Sequence, residues 1–131
     1  MSGDSSDQAR STAVTQLKAL GLSTYAARTF VALVSLGEGT AQDVSEVADV
    51  PRTRVYDAAD ELQDRGLVDV KQSSPQRYWA ISTETAGRHF EQEYDHRVTV
   101  LTDALDQLAS VNRSTEQQGV WTVTGRDTVT E

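Results

Sequence analysis

The stretch that most constrains how this chain can fold covers residues 40–81, TAQDVSEVADVPRTRVYDAADELQDRGLVDVKQSSPQRYWAI. Thr40 caps a short helix that carries Val44, Val47 and Ala48. Asp49-Val50 makes the turn. Pro51 suits the first turn of a second helix, where the N–H it lacks would go unused. On that helix Val55, Ala58, Ala59 and Leu62 share the core face, and Gly66 closes it. Residues 67–71 and 77–81 are strand-like and are separated by the polar turn Gln-Ser-Ser-Pro-Gln. Two helices around a tight turn, followed by a hairpin, spell a winged helix-turn-helix. The fold class is mostly α (α+β).

The flanks extend this domain. Val14, Leu17 and Leu20 recur at helical spacing before Gly21 stops the helix. Ser23 caps the next helix, residues 24–36, whose buried stripe is expected to include Ala27, Phe30, Val31 and Val34, with Gly37 ending it. Residues 1–11 are rich in Ser, Asp and Gly without apolar spacing and are expected to be disordered, leaving 12–82 as the winged domain. From residue 83, with Ser82 as cap, the pattern changes. Tyr94, Val98, Leu101, Leu105 and Leu108 alternate steps of four and three, the seam of a coiled coil. A helix over 83–111 would be ~43 Å long at 1.5 Å per residue, more than the small domain needs. The seam is therefore expected to form a homodimer interface; folding back over its own domain is the alternative. Residues 112–131 read as a linker followed by the strand-like GVWTVTGRDTVTE, the expected start of a further C-terminal domain.

Composition narrows the function. Without cysteine there are no disulfides, thiolate metal sites or cysteine nucleophiles. No apolar run approaches the ~20 residues of a membrane span, and the polar N-terminus lacks a signal core, so a cytoplasmic protein is expected. The balance of 20 acidic against 12 basic residues, net −8, runs against the usual basic character of DNA-binding domains. Lys18 and Lys71 are the only lysines, and aspartate outnumbers glutamate. This pattern resembles proteins of halophilic organisms, in which molar salt leaves counterion release little to contribute. An acidic protein that binds another protein is the alternative.

Projected at 100° per residue, the second helix turns Val55, Ala59 and Leu62 inward. Thr53 then points outward between Arg52 and Arg54, with Tyr56 beside Arg52. An arginine fork can meet the two acceptors of a guanine edge or grip a phosphate, and Thr53 can contact either. Exposed amides at that helix end favour phosphate. Asp57, Asp60 and Asp64 farther along would repel the backbone, so only the first turn can enter a groove closely. Asp57 could accept from a cytosine amine or pair with Arg52 or Arg54. In the wing, Lys71 and Arg77 are phosphate candidates and Gln76 a weaker one. Enzyme-like patterns fail. Gly37-Glu-Gly-Thr is a turn leading to the Thr40 cap, and the Glu93-x-x-His96 spacing lacks the second motif that a di-iron bundle requires. No catalytic, cofactor or metal site is expected.

Three segments, LGLSTYAARTFVALVSLG, VPRTRVYDAADELQDRGLVDV and QRYWAI, resemble the TrmB family of archaeal transcriptional regulators. The resemblance covers roughly residues 14–111 and is most specific over 50–70. It implies a winged helix that binds promoter DNA as a dimer, with contacts carried by Arg52, Thr53, Arg54 and Tyr56. Many members add a C-terminal domain that senses sugars, and GVWTVTGRDTVTE resembles its beginning. A small-molecule effector would belong to that domain. Family members often have Glu where Ala26 stands, and their wings are often more basic than residues 73–77 here. Two functions stay open: a dimeric, sequence-specific DNA-binding regulator, or a winged-helix scaffold for protein interaction. The Arg52-Thr53-Arg54 turn favours the first and the acidic surface the second.

Overall fold

The computed structural model describes residues 2–117. Its elements are α1 (Ser2–Ala19), α2 (Thr24–Leu36), α3 (Ala41–Ala48), α4 (Arg52–Asp64), β1 (Val68–Lys71), β2 (Arg77–Ala80) and α5 (Thr83–Gln117). The chain divides into two compact units after Glu91, so that α5 begins in the first unit and continues in the second.

In the first unit, capping and burial set the helices in order. The Ser23 hydroxyl accepts from the Ala26 N–H (3.1 Å) at the start of α2. Ser23 also donates from its N–H (3.0 Å) and Oγ (2.7 Å) to the two carboxylate oxygens of Glu61, which ties α2 to α4. At the other end of α2, Gly37 takes φ 87°, a conformation that a side chain would strain, and its N–H closes on Leu33 O. Thr40 and Asp43 form a reciprocal capping box on α3, with Asp43 N–H donating to the threonine hydroxyl and Thr40 N–H to the carboxylate. Hydrogen bonding to the Thr40 backbone N–H first, and then to the Thr40 side chain, draws the Asp43 carboxyl below its usual pKa. The α3–α4 turn rests on Asp49 in the left-handed region (φ 58°, ψ 48°), which aspartate tolerates better than most residues. The Ser45 hydroxyl donates to Val50 O (2.7 Å), and the Val50 side chain is buried beneath the turn.

Leu33, Val44, Val55, Leu62 and Leu67 are wholly inaccessible and form the centre of the core. They come from α2, α3, α4 and the segment entering β1, so packing at this one point sets the angles among the helices and the base of the hairpin. The strands pair antiparallel with Val68 opposite Ala80 and Lys71 opposite Arg77. Gly39 bridges to Tyr78 through two backbone bonds of 2.9 and 2.8 Å, joining the α2–α3 connection to the hairpin. A Cβ at Gly39 would stand 3.1 Å from Asp43 Cβ, so a side chain there would have to push the capping aspartate aside by a few tenths of an ångström.

Three expectations differ from the observed elements. Val34, expected in the core, is 42% exposed, and Val47 of α3 is 37% exposed. Ala41, Val44 and Ala48 already fill the inward face of the two-turn α3, and Val34 lies on the rim of a groove between α1 and α2. Residues 2–11, expected to be disordered, form the first turns of α1. Once Ala13, Val14 and Leu17 anchor the helix on the core, each further residue adds a hydrogen bond without a new nucleation cost. The linker expected from residue 112 is helical as far as Gln117, since neither Gly nor Pro stands between residue 112 and Gly119 to stop α5. The expected strand GVWTVTGRDTVTE, with the start of a further domain, lies outside the described residues.

In the second unit Tyr94, Val98, Leu101, Leu105 and Leu108 are between 43% and 67% exposed. Among the described residues, no helix is long and apolar enough to cross a membrane.

Candidate nucleic-acid interface

At the first turn of α4 the N-cap is Pro51, in extended backbone (φ −56°, ψ 137°), and no side chain caps the helix. The Arg54 and Val55 N–H groups close on Pro51 O, while the amides ahead of them are left for an outside acceptor. Burial of Val55, Ala58, Ala59 and Leu62 turns this helix end outward, so Arg52, Thr53, Arg54 and Tyr56 are all exposed. The helical projection is met at each of these positions.

The neighbours of the two arginines are less easily read from sequence. Arg52 reaches the Gln42 carbonyl of α3 at 3.5 Å, the limit of a hydrogen bond. The Arg54 guanidinium stands 6.0 Å from the centre of the Tyr25 ring on α2, a cation–π distance. Among the described residues neither arginine is held in an ion pair, Asp57 included. Both forks stay available at the surface.

The wing candidates divide. Lys71 is exposed at the end of β1. Arg77 lies opposite it, and two cations facing each other across a strand pair repel. Glu38, from the connection after α2, relieves this: its carboxylate meets Arg77 Nε at 2.6 Å. Arg77 is therefore already occupied by an internal anion. Gln76 is engaged at both ends of its amide, donating to Gln72 (2.7 Å) and accepting from the Tyr78 hydroxyl (3.0 Å). Burial first, then the nearby Tyr56 and Asp60, hold the Tyr78 phenol above its usual pKa, so it remains a neutral donor.

Arg52 and Tyr56 share a cleft of about 250 Å³ with Gln42 of α3 and with Pro75, Gln76 and Tyr78 of the wing. The helix end and the hairpin turn thus open onto one concave surface. Its lining includes a guanidinium, two amides and the hydroxyl-bearing Thr40, Tyr56 and Tyr78. Gln42, Glu38 and Tyr25 have no motif that marks them; each meets its arginine through the fold, at sequence separations that periodicity does not register. Among the described residues, no group of three or more His, Cys, Asp or Glu side chains gathers as a metal site would need.

A helix-turn-helix whose second helix begins with exposed arginines beside a two-stranded wing defines the winged-helix class. The sequence profile of the family described as "Sugar-specific transcriptional regulator TrmB" matches residues 17–84, and the chain belongs to that family of transcriptional regulators. The HTH-type sugar sensing transcriptional regulator TrmBL1 of Pyrococcus furiosus is 27% identical over 110 residues, 84% of this chain and 32% of the relative. The DNA-binding HTH-type transcriptional repressor TrmBL2 of Thermococcus kodakarensis is 31% identical over 77 residues, 59% of this chain and 29% of the relative. The chain thus spans about a third of the length of these relatives. In fold it is similar to the solved structure of TrmBL2, described as an archaeal chromatin protein with a novel mode of DNA binding. That match has a TM-score of 0.74 at 22% identity and covers 94% of this chain and 46% of that one. A MarR family regulator from Silicibacter pomeroyi is similar at TM-score 0.50 and 20% identity, covering 89% and 86%.

Proposed function

We propose that this chain is the DNA-reading part of a dimeric, sequence-specific transcriptional regulator, with residues 51–65 as recognition helix and 67–81 as wing. The observation that carries this reading is the uncapped first turn of α4, with Arg52, Thr53 and Arg54 exposed and, among the described residues, neither arginine in an ion pair, opening onto the same cleft as the wing. Arg52 and Arg54 meet guanine edges in the major groove, and Thr53 and the helix-end amides receive phosphates. Asp57 and Asp60 limit penetration to that turn, because carboxylates farther along the helix face the phosphate backbone. Lys71 contacts the flanking backbone from the wing, and Arg77 does so once it leaves Glu38. Gln76 acts through the cleft that it lines with Arg52.

The exposed seam of α5 pairs two copies through Tyr94, Val98, Leu101, Leu105 and Leu108, and the operator then carries two half-sites about one helical turn apart. The acidic, lysine-poor surface belongs to a protein working in concentrated salt, within the cytoplasm. An effector, if the full protein has one, is bound by a domain beyond the described residues. The net charge of −8 favours a second reading, a scaffold that binds proteins rather than DNA. Fluorescence anisotropy in molar potassium chloride, using the upstream region of the chain's own gene against a scrambled duplex, separates the two. A regulator prefers its operator by orders of magnitude, whereas a scaffold binds neither duplex.

A further inference from the structure

The C-terminal half of α4 is held by directional contacts as well as by burial. Arg54, Glu61 and Arg65 are spaced seven and four apart, which at 100° per residue places them within about 40° of one another on one flank of the helix. Their partners run down the chain in the opposite sense, as Tyr25, Ser23 and Leu20. Both Glu61 oxygens are used on one residue, Oε2 accepting from the Ser23 N–H (3.0 Å) and Oε1 from its hydroxyl (2.7 Å). The same hydroxyl accepts from the Ala26 N–H, so Ser23 caps α2 and grips α4 at once. One turn later the Arg65 guanidinium donates to Leu20 O (3.4 Å) and stands 5.7 Å from the centre of the Phe90 ring, near the start of α5.

Charge matches place in each case. The first turn of α2 has no acidic residue of its own, and Glu61 brings a carboxylate to that helix end from outside. Leu20 directly follows α1, and Arg65 adds a guanidinium there to Lys18 of the last turn. Two opposite charges four residues apart on α4 thus meet two opposite helix ends across the turn at residues 20–23. The apolar side of α4 cannot replace this clamp. Burial of Val55, Ala58, Ala59 and Leu62 is non-directional, and two of these four are alanines, whose methyl groups offer little resistance to rotation of the helix.

We propose that Glu61 and Arg65 are positioning residues for operator reading: clamped to the α1–α2 turn, they fix the rotation of α4 about its own axis, and with it the aim of Arg52 and Arg54 at base edges. The inference rests on the DNA-reading function described above and adds the residues that set its precision. Glu61 itself touches no base; it acts on Arg52 from ~14 Å farther along the helix, at 1.5 Å per residue.

Charge and position predict different outcomes for one substitution. Glu61→Ala removes an anion from the recognition helix, so a purely electrostatic role would raise affinity for every duplex alike or leave it unchanged. A positioning role instead lowers affinity for the operator and leaves the scrambled duplex at or above its wild-type affinity. The operator-to-scrambled ratio is expected to fall about fivefold or more, part of what a bidentate base contact contributes. Ser23→Gly tests the same clamp with every charge in place, since it deletes the hydroxyl donor while glycine caps a helix nearly as well as serine. The ratio should fall there too, by a smaller factor, and Glu61→Gln, which keeps one acceptor oxygen, should lie between wild type and Glu61→Ala. The chain and its variants are titrated by fluorescence anisotropy in molar potassium chloride, with circular dichroism melts to establish that each is folded at the assay temperature. If Glu61→Ala is unfolded, Ser23→Gly decides the matter by itself. A ratio unchanged from wild type in the folded variants, whether or not affinity for both duplexes rises, would overturn the clamp and leave DNA reading standing. A wild type without preference for the operator would overturn both.

Discussion

Replacing Arg52 by alanine separates recognition from folding more cleanly than any other single change. In the free protein its side chain is exposed and, among the described residues, hydrogen-bonds to the Gln42 carbonyl at 3.5 Å. The folding cost should therefore stay within about 0.5 kcal/mol, as for most surface substitutions. A bidentate arginine–guanine contact contributes about 1–3 kcal/mol of discrimination. At 1.4 kcal/mol per tenfold, that is a loss of roughly 5- to 150-fold in operator affinity. Arg54→Ala should lose binding on the same scale with a somewhat larger fall in stability, because its guanidinium also stands over Tyr25 and an exposed cation–π contact contributes about 0.5–1 kcal/mol. Anisotropy titrations against operator and scrambled duplex, with thermal melts alongside, read both quantities. A loss confined to the operator marks a base contact, and an equal loss on both duplexes marks a phosphate contact. Unchanged affinity for both duplexes in both variants would refute the assignment of this helix end to DNA.

Four further outcomes can be checked. Leu101→Asp places a charge in the exposed α5 seam and should yield monomers by light scattering at high salt, with the winged domain still folded; a wild type already monomeric would end the dimer claim. Leu62→Ala empties a fully buried position between α4 and the rest of the core and should cost about 2–5 kcal/mol in denaturant titrations. Glu38→Gln frees Arg77 from its internal partner and should raise affinity for every duplex alike, by up to roughly fivefold, the strength of an exposed ion pair; lowered affinity would show that the pair instead organises the wing. Operator binding should hold or strengthen from dilute buffer to molar potassium chloride, because the Debye length contracts to ~3 Å at 1 M and screens the acidic surface from DNA. A steep loss of affinity with rising salt, the fold intact, would contradict the halophilic reading.

The sequence by itself determined the order and nearly the bounds of the winged domain, because its signals are local. Ser23, Thr40 and Gly37 cap helices through bonds to residues three or four away. The spacing of Val55, Ala58, Ala59 and Leu62 is enough to turn Arg52, Thr53 and Arg54 outward. Local signals misread both ends of the chain, where a polar composition suggested disorder or linker but helices α1 and α5 continue from anchored turns. Only the tertiary structure decided which cations are free. Glu38 lies far from Arg77 in sequence, and Tyr25 far from Arg54, yet packing around Leu33, Val44 and Leu62 sets each pair side by side. The tertiary structure likewise put Val34 on the rim of a groove rather than in the core, because burial depends on what α1 leaves uncovered and not on the spacing within α2. Periodicity assigns a face to each side chain, whereas the partner it meets there is set by contacts among distant segments, which no short window of sequence contains.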